Sequence, residues 1–347
     1  MAYFYDHIWQ VNKKHKLSTG ISYDHLTADA RLRNVGATVG TNTFVSPNQA
    51  WQMHYGNTVN GKQRTDGVGA ALKYEFKPST IDTYHVSLSS LIRQPHNAER
   101  YTALIGSNGA GWLGNPFLQP ERHNRAEFGT QWQGSGWHDY GKVKDGDITE
   151  AWQIKLNADY DKVHDFITLD RARGQSGVVA RNGNVISRNV DATLIGIQLS
   201  MAKSLNRNLA TRLKVRYQYG ENNSDDRPLY NVRPLSIDWA LDWQDYTSFG
   251  SYNLGVSMHY AHKSSRLDNN KTSGLGYDLA QYYQSYAVVN LYGGLQFRKR
   301  FAITAGIDNL FNRQYYAFNE QPHVAALAPT AVAAPGRTYW VGLNFNF

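Results

Sequence analysis

The sequence predicts an all-β fold, a transmembrane antiparallel β-barrel, on three observations. The closing segment alternates apolar and polar residues, the same stripe recurs many times upstream, and the connections between stripes alternate between short and long. In the last ten residues Tyr339, Val341, Leu343, Phe345 and Phe347 fall on one face, and Thr338, Gly342, Asn344 and Asn346 on the other, with Trp340 the one large intruder. Side chains alternate across a strand, so such a ribbon has one apolar and one wet face. Repeated along strands of about 10 residues, that is what a barrel in a bilayer requires.

The stripe resolves into about 13 strands. In chain order they cover roughly residues 2–11, 17–29, 67–76, 81–93, 124–133, 149–169, 186–204, 209–219, 235–244, 251–260, 289–297, 301–311 and 338–347. The clearest sets Leu235, Ile237, Trp239, Leu241 and Trp243 against Ser236, Asp238, Ala240, Asp242 and Gln244. In the next, Tyr252, Leu254, Val256, Met258 and Tyr260 face hydrocarbon. No segment shows a comparable helical period. Short turns are expected near Asn12–His15, Lys77–Thr80, Asn206–Asn208, Asp245–Ser248 and Arg298–Arg300, with long polar loops near 30–66, 94–123, 171–185, 220–233, 263–280 and 313–335. The 134–148 turn is longer than its place predicts. Short turns on one side and long loops on the other mark outer-membrane barrels.

Composition agrees. Mean hydropathy is −0.55 and no run of 18 apolar residues occurs, so no helix is expected to span a bilayer; strands show lipid only alternate residues, and an average hides them. Aromatic residues reach 13%, with 23 Tyr and 9 Trp, as interfacial girdles need. With no Cys there is neither a disulfide scaffold nor a thiolate site. The net charge of +8 is dispersed: Arg212, Lys214 and Arg216 alternate with Leu213 and Val215 and are expected to line a lumen. No basic helix or nucleic-acid motif appears, so no nucleic-acid partner is expected.

The N-terminal MAYFYDHIWQVNKKHK has no basic segment followed by an apolar one, so it is not expected to act as a signal peptide. An odd number of strands puts Met1 on the long-loop side, whereas complete bacterial barrels have an even number. Residues 1–347 are therefore expected to be the C-terminal part of a larger barrel.

The segments Ala302–Tyr315 and Gly336–Phe347 resemble the last two strands of TonB-dependent outer-membrane receptors. Arg93–Tyr101, Asn115–Glu121 and Asn189–Ile197 are similar to internal blocks of the same family, in the family's order. Asp226–Leu235 and Gly276–Leu279 resemble its copper-receptor branch. The resemblance implies energy-coupled uptake of a scarce ligand across the bacterial outer membrane, through a barrel of roughly 22 strands plugged by an N-terminal domain that contacts the TonB complex. It further implies a lipid environment, insertion by the barrel assembly machinery, and no enzymatic activity. This chain departs from the pattern: it offers no plug and about 13 of those strands. The expected function is TonB-dependent uptake of a metal or metal chelate, with copper foremost. A siderophore or haem receptor and a passive porin-like channel are the alternatives, and a soluble β-rich protein is the third class.

No permanently bound cofactor is expected; copper or an iron chelate would be cargo. Soft thioether and imidazole ligands suit Cu(I), which singles out Met53 and His54 in the first long loop, then His96, His123 and His323. With only four Met in the chain, no Met-rich relay is present. No Gly-x-Ser-x-Gly elbow precedes a helix, and Gly106–Gly114 runs into Asn115-Pro116 rather than into the helix that a phosphate cradle needs. Inward Asp238, Asp242, Asp159 and Glu127 are expected to stand opposite Lys155, Lys214 and Arg216 as salt-bridge ladders. By family resemblance the terminal Phe347 is part of the assembly signal. Phe347→Ser is expected to lower outer-membrane levels, as read by immunoblots of fractionated envelopes; wild-type levels would refute that role.

Overall fold

The computed structural model describes residues 1–105, 111–134, 151–171, 185–229, 232–267, 284–297, 301–318 and 333–345. Phe347, His323, the 134–148 turn beyond Gly134 and the Arg298–Arg300 turn lie outside the described residues. The strands are β1 (Ala2–Gln10), β2 (His15–Ala28), β3 (Ala37–Val39), β4 (Asn42–Phe44), β5 (Gln63–Phe76), β6 (Thr83–Arg93), β7 (Ala103–Ile105), β8 (Gly111–Leu113), β9 (Glu121–Gln133), β10 (Trp152–Arg171), β11 (Val185–Ser204), β12 (Leu209–Asn222), β13 (Arg227–Pro228), β14 (Ser236–Thr247), β15 (Gly250–Ala261), β16 (Tyr286–Phe297), β17 (Phe301–Asp308) and β18 (Thr338–Phe345). Two helices, α1 (Pro47–Tyr55) and α2 (Asn97–Tyr101), lie between strands.

One sheet of 16 strands dominates. Its spine runs β1-β2-β5-β6-β9-β10-β11-β12-β14-β15-β16-β17-β18, each strand antiparallel to the one before it, and these are the strands expected from the stripes. The short β7, β8 and β13 attach at its side.

Register lines the stripes up across the sheet. Trp132, Ile154, Met201, Leu213, Trp239, Met258 and Val289 lie opposite one another in turn on β9, β10, β11, β12, β14, β15 and β16. One residue along, Gln131, Lys155, Ser200, Lys214, Asp238 and His259 make a polar row on the other face, which ends at Val288. Met258 is on the apolar face, as expected. The out-of-pattern Trp340 also finds its reason: it pairs with Gly306, and a Cβ there would come within 2.5 Å of the indole Cζ2. Gly306 leaves the room that lets a large ring lie flat on the polar face.

The long polar loops expected near 30–66 and 94–123 carry two short helices that no helical period announces. Ser46 caps α1 in a capping box with Gln49, Pro47 opens the helix, and Gly56 closes it at φ +67°. Those are ordinary start and stop signals, too short to register as a period. Ala50, Trp51, Val59, Leu113 and Ile186 form a buried core beneath the helix. Trp51 Nε1 donates to the Gly114 carbonyl at 3.0 Å, and Asn48 exchanges two hydrogen bonds with the Val59 backbone. The loops thus pack on the end of β11, whose Val185 and Ile186 pair in parallel with β8. The β14–β15 turn is also tighter than expected, since β14 continues through Thr247.

β10 and β11 have 20 residues each. That is roughly 65 Å of strand against a hydrocarbon core of about 30 Å, so their loop-side ends stand clear of the membrane and carry this platform. Val256, mid-strand on the apolar face, sits between Leu241 and Leu291, while Ser257 faces Asn290 across the polar face. Val256→Arg is expected to cost about 2–4 kcal/mol and to abolish the heat-modifiable folded band in outer-membrane fractions. Ser257→Arg is expected to retain that band.

Candidate functional site

Functional side chains gather on the polar face because a two-residue period leaves nowhere else for them. Toward the short-turn end, Arg212 Nη2 donates to Asp242 Oδ2 at 2.8 Å and Tyr292 Oη to Asp242 Oδ1 at 2.6 Å. Arg216 pairs with Asp238, whose other oxygen holds His259 Nδ1 at 2.6 Å. Lys155 and Lys214 share this face but make no ion pair among the described residues: Lys214 is in register with Asp238, yet Arg216 takes that carboxylate. Asp238 and Asp242 are paired with arginine and histidine rather than with lysine. Arg212 is 62% exposed, and pairs that open to solvent add little stability. Their effect is to fix charges along the wall.

Toward the long-loop end the chemistry is denser. Glu121, buried at the start of β9, accepts Arg93 Nε at 2.6 Å and His123 Nε2 at 2.8 Å on one oxygen, and the Ile167 N–H at 2.7 Å on the other, where Arg93 Nη2 also binds. Arg93 reaches Glu99 of α2 as well, at 3.1 Å. His123 Nδ1 meets Asp161 Oδ2 at 2.7 Å. Both ring nitrogens of His123 therefore face carboxylate oxygens, which only accept, so the ring is held as the doubly protonated imidazolium.

A bulge in β10 shapes this end. Val163 pairs with Ala192 and Phe166 with Val190, so one extra residue is inserted, and Asp165 takes φ +58°. An extra residue resets which side chains face which way. Phe166, Thr168 and Asp170 thereby join Asp159 and Asp161 on the polar face. Asp170 then meets Arg188 at 2.8 Å and Arg227 at 2.6 Å, and both arginines also bind Asp225. Below that knot lies a cavity of about 530 Å³, walled by His123, Arg125, Asp161, Phe166, Leu194 and Tyr219 among others.

The metal candidates are not brought together. Met53 is exposed on α1 and His54, its neighbour on the helix, points elsewhere, because adjacent helical positions do not face each other. Burial pushes the His54 imidazole below its ordinary value. His96 precedes α2, where its N–H donates to Glu99, and His123 is engaged as above. Among the described residues, no group of three or more His, Asp or Glu side chains could hold a metal ion. Sequence reasoning passed over Glu121, Asp161, Phe166 and the Arg188–Asp225 knot. Arg93, Glu99 and Glu121 stood inside the quoted family blocks, and their mutual bonding is the signal that was there.

A family model described as "TonB dependent receptor-like, beta-barrel" matches residues 2–310. The chain belongs to the TonB-dependent receptor family. It is 27% identical over 207 residues to a hemin receptor of Yersinia enterocolitica, an alignment covering 59% of this chain and 28% of that one. It is 24% identical over 186 residues to a ferric enterobactin receptor of Pseudomonas aeruginosa, covering 52% and 24%. Among solved structures it is similar to the copper transporter OprC, at TM-score 0.75 and 21% identity over all of this chain and 48% of that one. It is also similar to the ferric yersiniabactin uptake receptor FyuA of Yersinia pestis, at TM-score 0.62 and 14% identity over 100% and 45%. The chain thus spans less than half the length of these relatives. Members of this family are receptors and transporters rather than enzymes, and they reside in the outer membrane of Gram-negative bacteria, working with TonB. The sheet is the barrel domain that this family model describes, with one polar and one apolar face.

The Arg188–Asp225 knot gives a pH signature. Burial alone would raise the Asp225 carboxyl, but the hydrogen bonds and charges of Arg188 and Arg227 outweigh it and hold the group down from 3.8 to about 2. A lowered folded value stabilises the native state above the unfolded value, and the contribution disappears as pH falls through the folded one. Proteolytic nicking of the 220–233 connection is expected to rise between pH 4 and pH 2, and Asp225→Asn is expected to remove that acid step.

Proposed function

We propose that this chain is the C-terminal part of the wall of a receptor for TonB-dependent uptake of a metal or metal chelate, copper foremost. The observation that carries the reading is the family match over residues 2–310. The names of the relatives support a metal-bearing cargo: a hemin receptor, a ferric enterobactin receptor and a copper transporter. Copper rests on the higher TM-score with the copper transporter and on the resemblance of Asp226–Leu235 to that branch.

In this reading the long-loop platform and the lumenal cavity receive the ligand, and the paired charges below them line its path. Contact with TonB belongs to an N-terminal region of the intact receptor, and the barrel assembly machinery inserts the wall into lipid. Met53, His54, His96 and His323 remain the side chains proposed to meet a metal on the way in; His123, expected with them from the sequence, has both ring nitrogens engaged by carboxylates.

The test is accumulation of copper, haem and ferric siderophore by cells that lack their own receptors and express the intact receptor, with and without TonB. Copper accumulation is expected to fall to the receptor-free background without TonB. Accumulation of haem or a siderophore alone would move the cargo to the iron branch. Accumulation indifferent to TonB would overturn energy coupling in favour of a passive channel.

A further inference from the structure

The cavity below the β10 bulge contains a chemical contradiction. Asp161 is 6% exposed and forms part of the cavity wall. Its Oδ2 holds His123, while its Oδ1 is buried with no hydrogen-bond partner among the described residues. A buried carboxylate oxygen without a donor is costly, and a charge-assisted donor is the strongest remedy.

The surroundings ask for the same thing. Two clusters meet at this end: Arg93 and His123 hold Glu99, Glu121 and Asp161, and Arg125 holds Glu127 and Asp159, so three cations stand against five carboxylates. His85 also touches Glu127, through one ring nitrogen. The patch is acidic in a chain whose overall charge is +8. Opposite the carboxylates, Phe166, Leu194, Leu229 and Val232 supply an apolar wall. At about 530 Å³ the cavity has the size of a small-molecule site.

We propose that this cavity is a subsite for a cationic arm, an alkylammonium or guanidinium group on an aliphatic stem, carried by the ligand that the receptor takes up. The charged head binds Asp161 Oδ1 and the stem lies on Phe166 and Leu194. The bulge makes the site: without the inserted residue, Phe166 and Thr168 would point to the other face. This inference rests on the uptake reading and narrows its substrate class to ligands with a basic side arm.

The probes are two Fe(III) hydroxamate chelates that differ at one end, the first with a free alkylammonium, the second with that amine succinylated to a carboxylate. Binding is measured on outer membranes carrying the intact receptor. The wild type is expected to prefer the ammonium chelate by about 10- to 100-fold, and Asp161→Asn to remove that preference. Gln218→Trp changes an exposed wall residue and fills the cavity without touching the His123–Asp161 pair. It is expected to weaken the ammonium chelate and leave the succinylated one unchanged, which keeps the test decisive should Asp161→Asn fail to assemble. Equal binding of the two chelates by the wild type, or an ammonium preference that survives in Gln218→Trp, overturns the subsite. TonB-dependent uptake that persists alongside such a result leaves the receptor reading standing, whereas uptake indifferent to TonB strikes that reading instead.

Discussion

Hydrocarbon offers a backbone no hydrogen bonds, so every N–H and C=O that crosses it must be satisfied by a neighbouring strand. From β2 to β17 the antiparallel spine meets that demand, with β1 and β18 each paired on one side among the described residues, and side-chain placement follows from it. Once register is locked, the row from Trp132 to Val289 falls on the apolar face and the row from Gln131 to His259 on the polar one. A one-residue slip of any strand would exchange the two. Charge on the polar face is therefore a consequence of the ladder as much as of selection for a ligand.

Where β10 and β11 leave the membrane that constraint lapses, and the structure changes character there. Asp165 adopts a left-handed conformation, the parity of β10 resets, and apolar Phe166 turns onto the formerly polar face. The same reset aims Asp170 at Arg188 and so ties the strand ends to the 220–229 connection. The Glu121 hub does a similar job on the other flank, fastening α2 through Arg93 and the bulge through the Ile167 N–H. Breaking one member of such a buried network would leave a charge without its counterpart, so both knots are rigid anchors for the cavity between them.

The membrane-crossing strands were legible in the sequence because lipid enforces a period of two over many residues, and that signal sums. Leu235–Trp243 and the closing stripe declare themselves. The odd Trp340 could not be explained until Gly306 was found beside it, since cross-strand neighbours are far apart in the chain. The bulge was illegible for the opposite reason: one inserted residue within the long β10 barely disturbs a period. Helix α1 is legible in its caps, Ser46, Pro47 and Gly56, but its buried apolar residues, Ala50 and Trp51, are adjacent and give no stripe. For the site, residue type suggested Met53 and His54, whereas geometry gathered Glu121, His123 and Asp161. Spacing along the chain does not report which strand ends meet above a membrane.

The charges of the lumen are also sorted by depth. On β10, Lys155 precedes Asp159 and Asp161 along the same face, and on β12, Arg212, Lys214 and Arg216 lie toward the short-turn side, where Asp242 and Asp238 neutralise the two arginines and leave Lys155 and Lys214 as the excess positive charge. Lys155 and Asp161 are separated by roughly 20 Å of strand, whereas charges in water at physiological salt are screened within about 8 Å. The basic zone therefore does not cancel the acidic patch at the loop end, and the chain's net charge of +8 predicts neither zone's preference. In the uptake proposed above, a ligand entering from the loops would meet the carboxylates first, and any anionic part of it would meet Lys155 and Lys214 deeper in. Two zones of opposite sign on one wall orient a ligand that carries both charges, which a uniformly basic pore of the same net charge would not do.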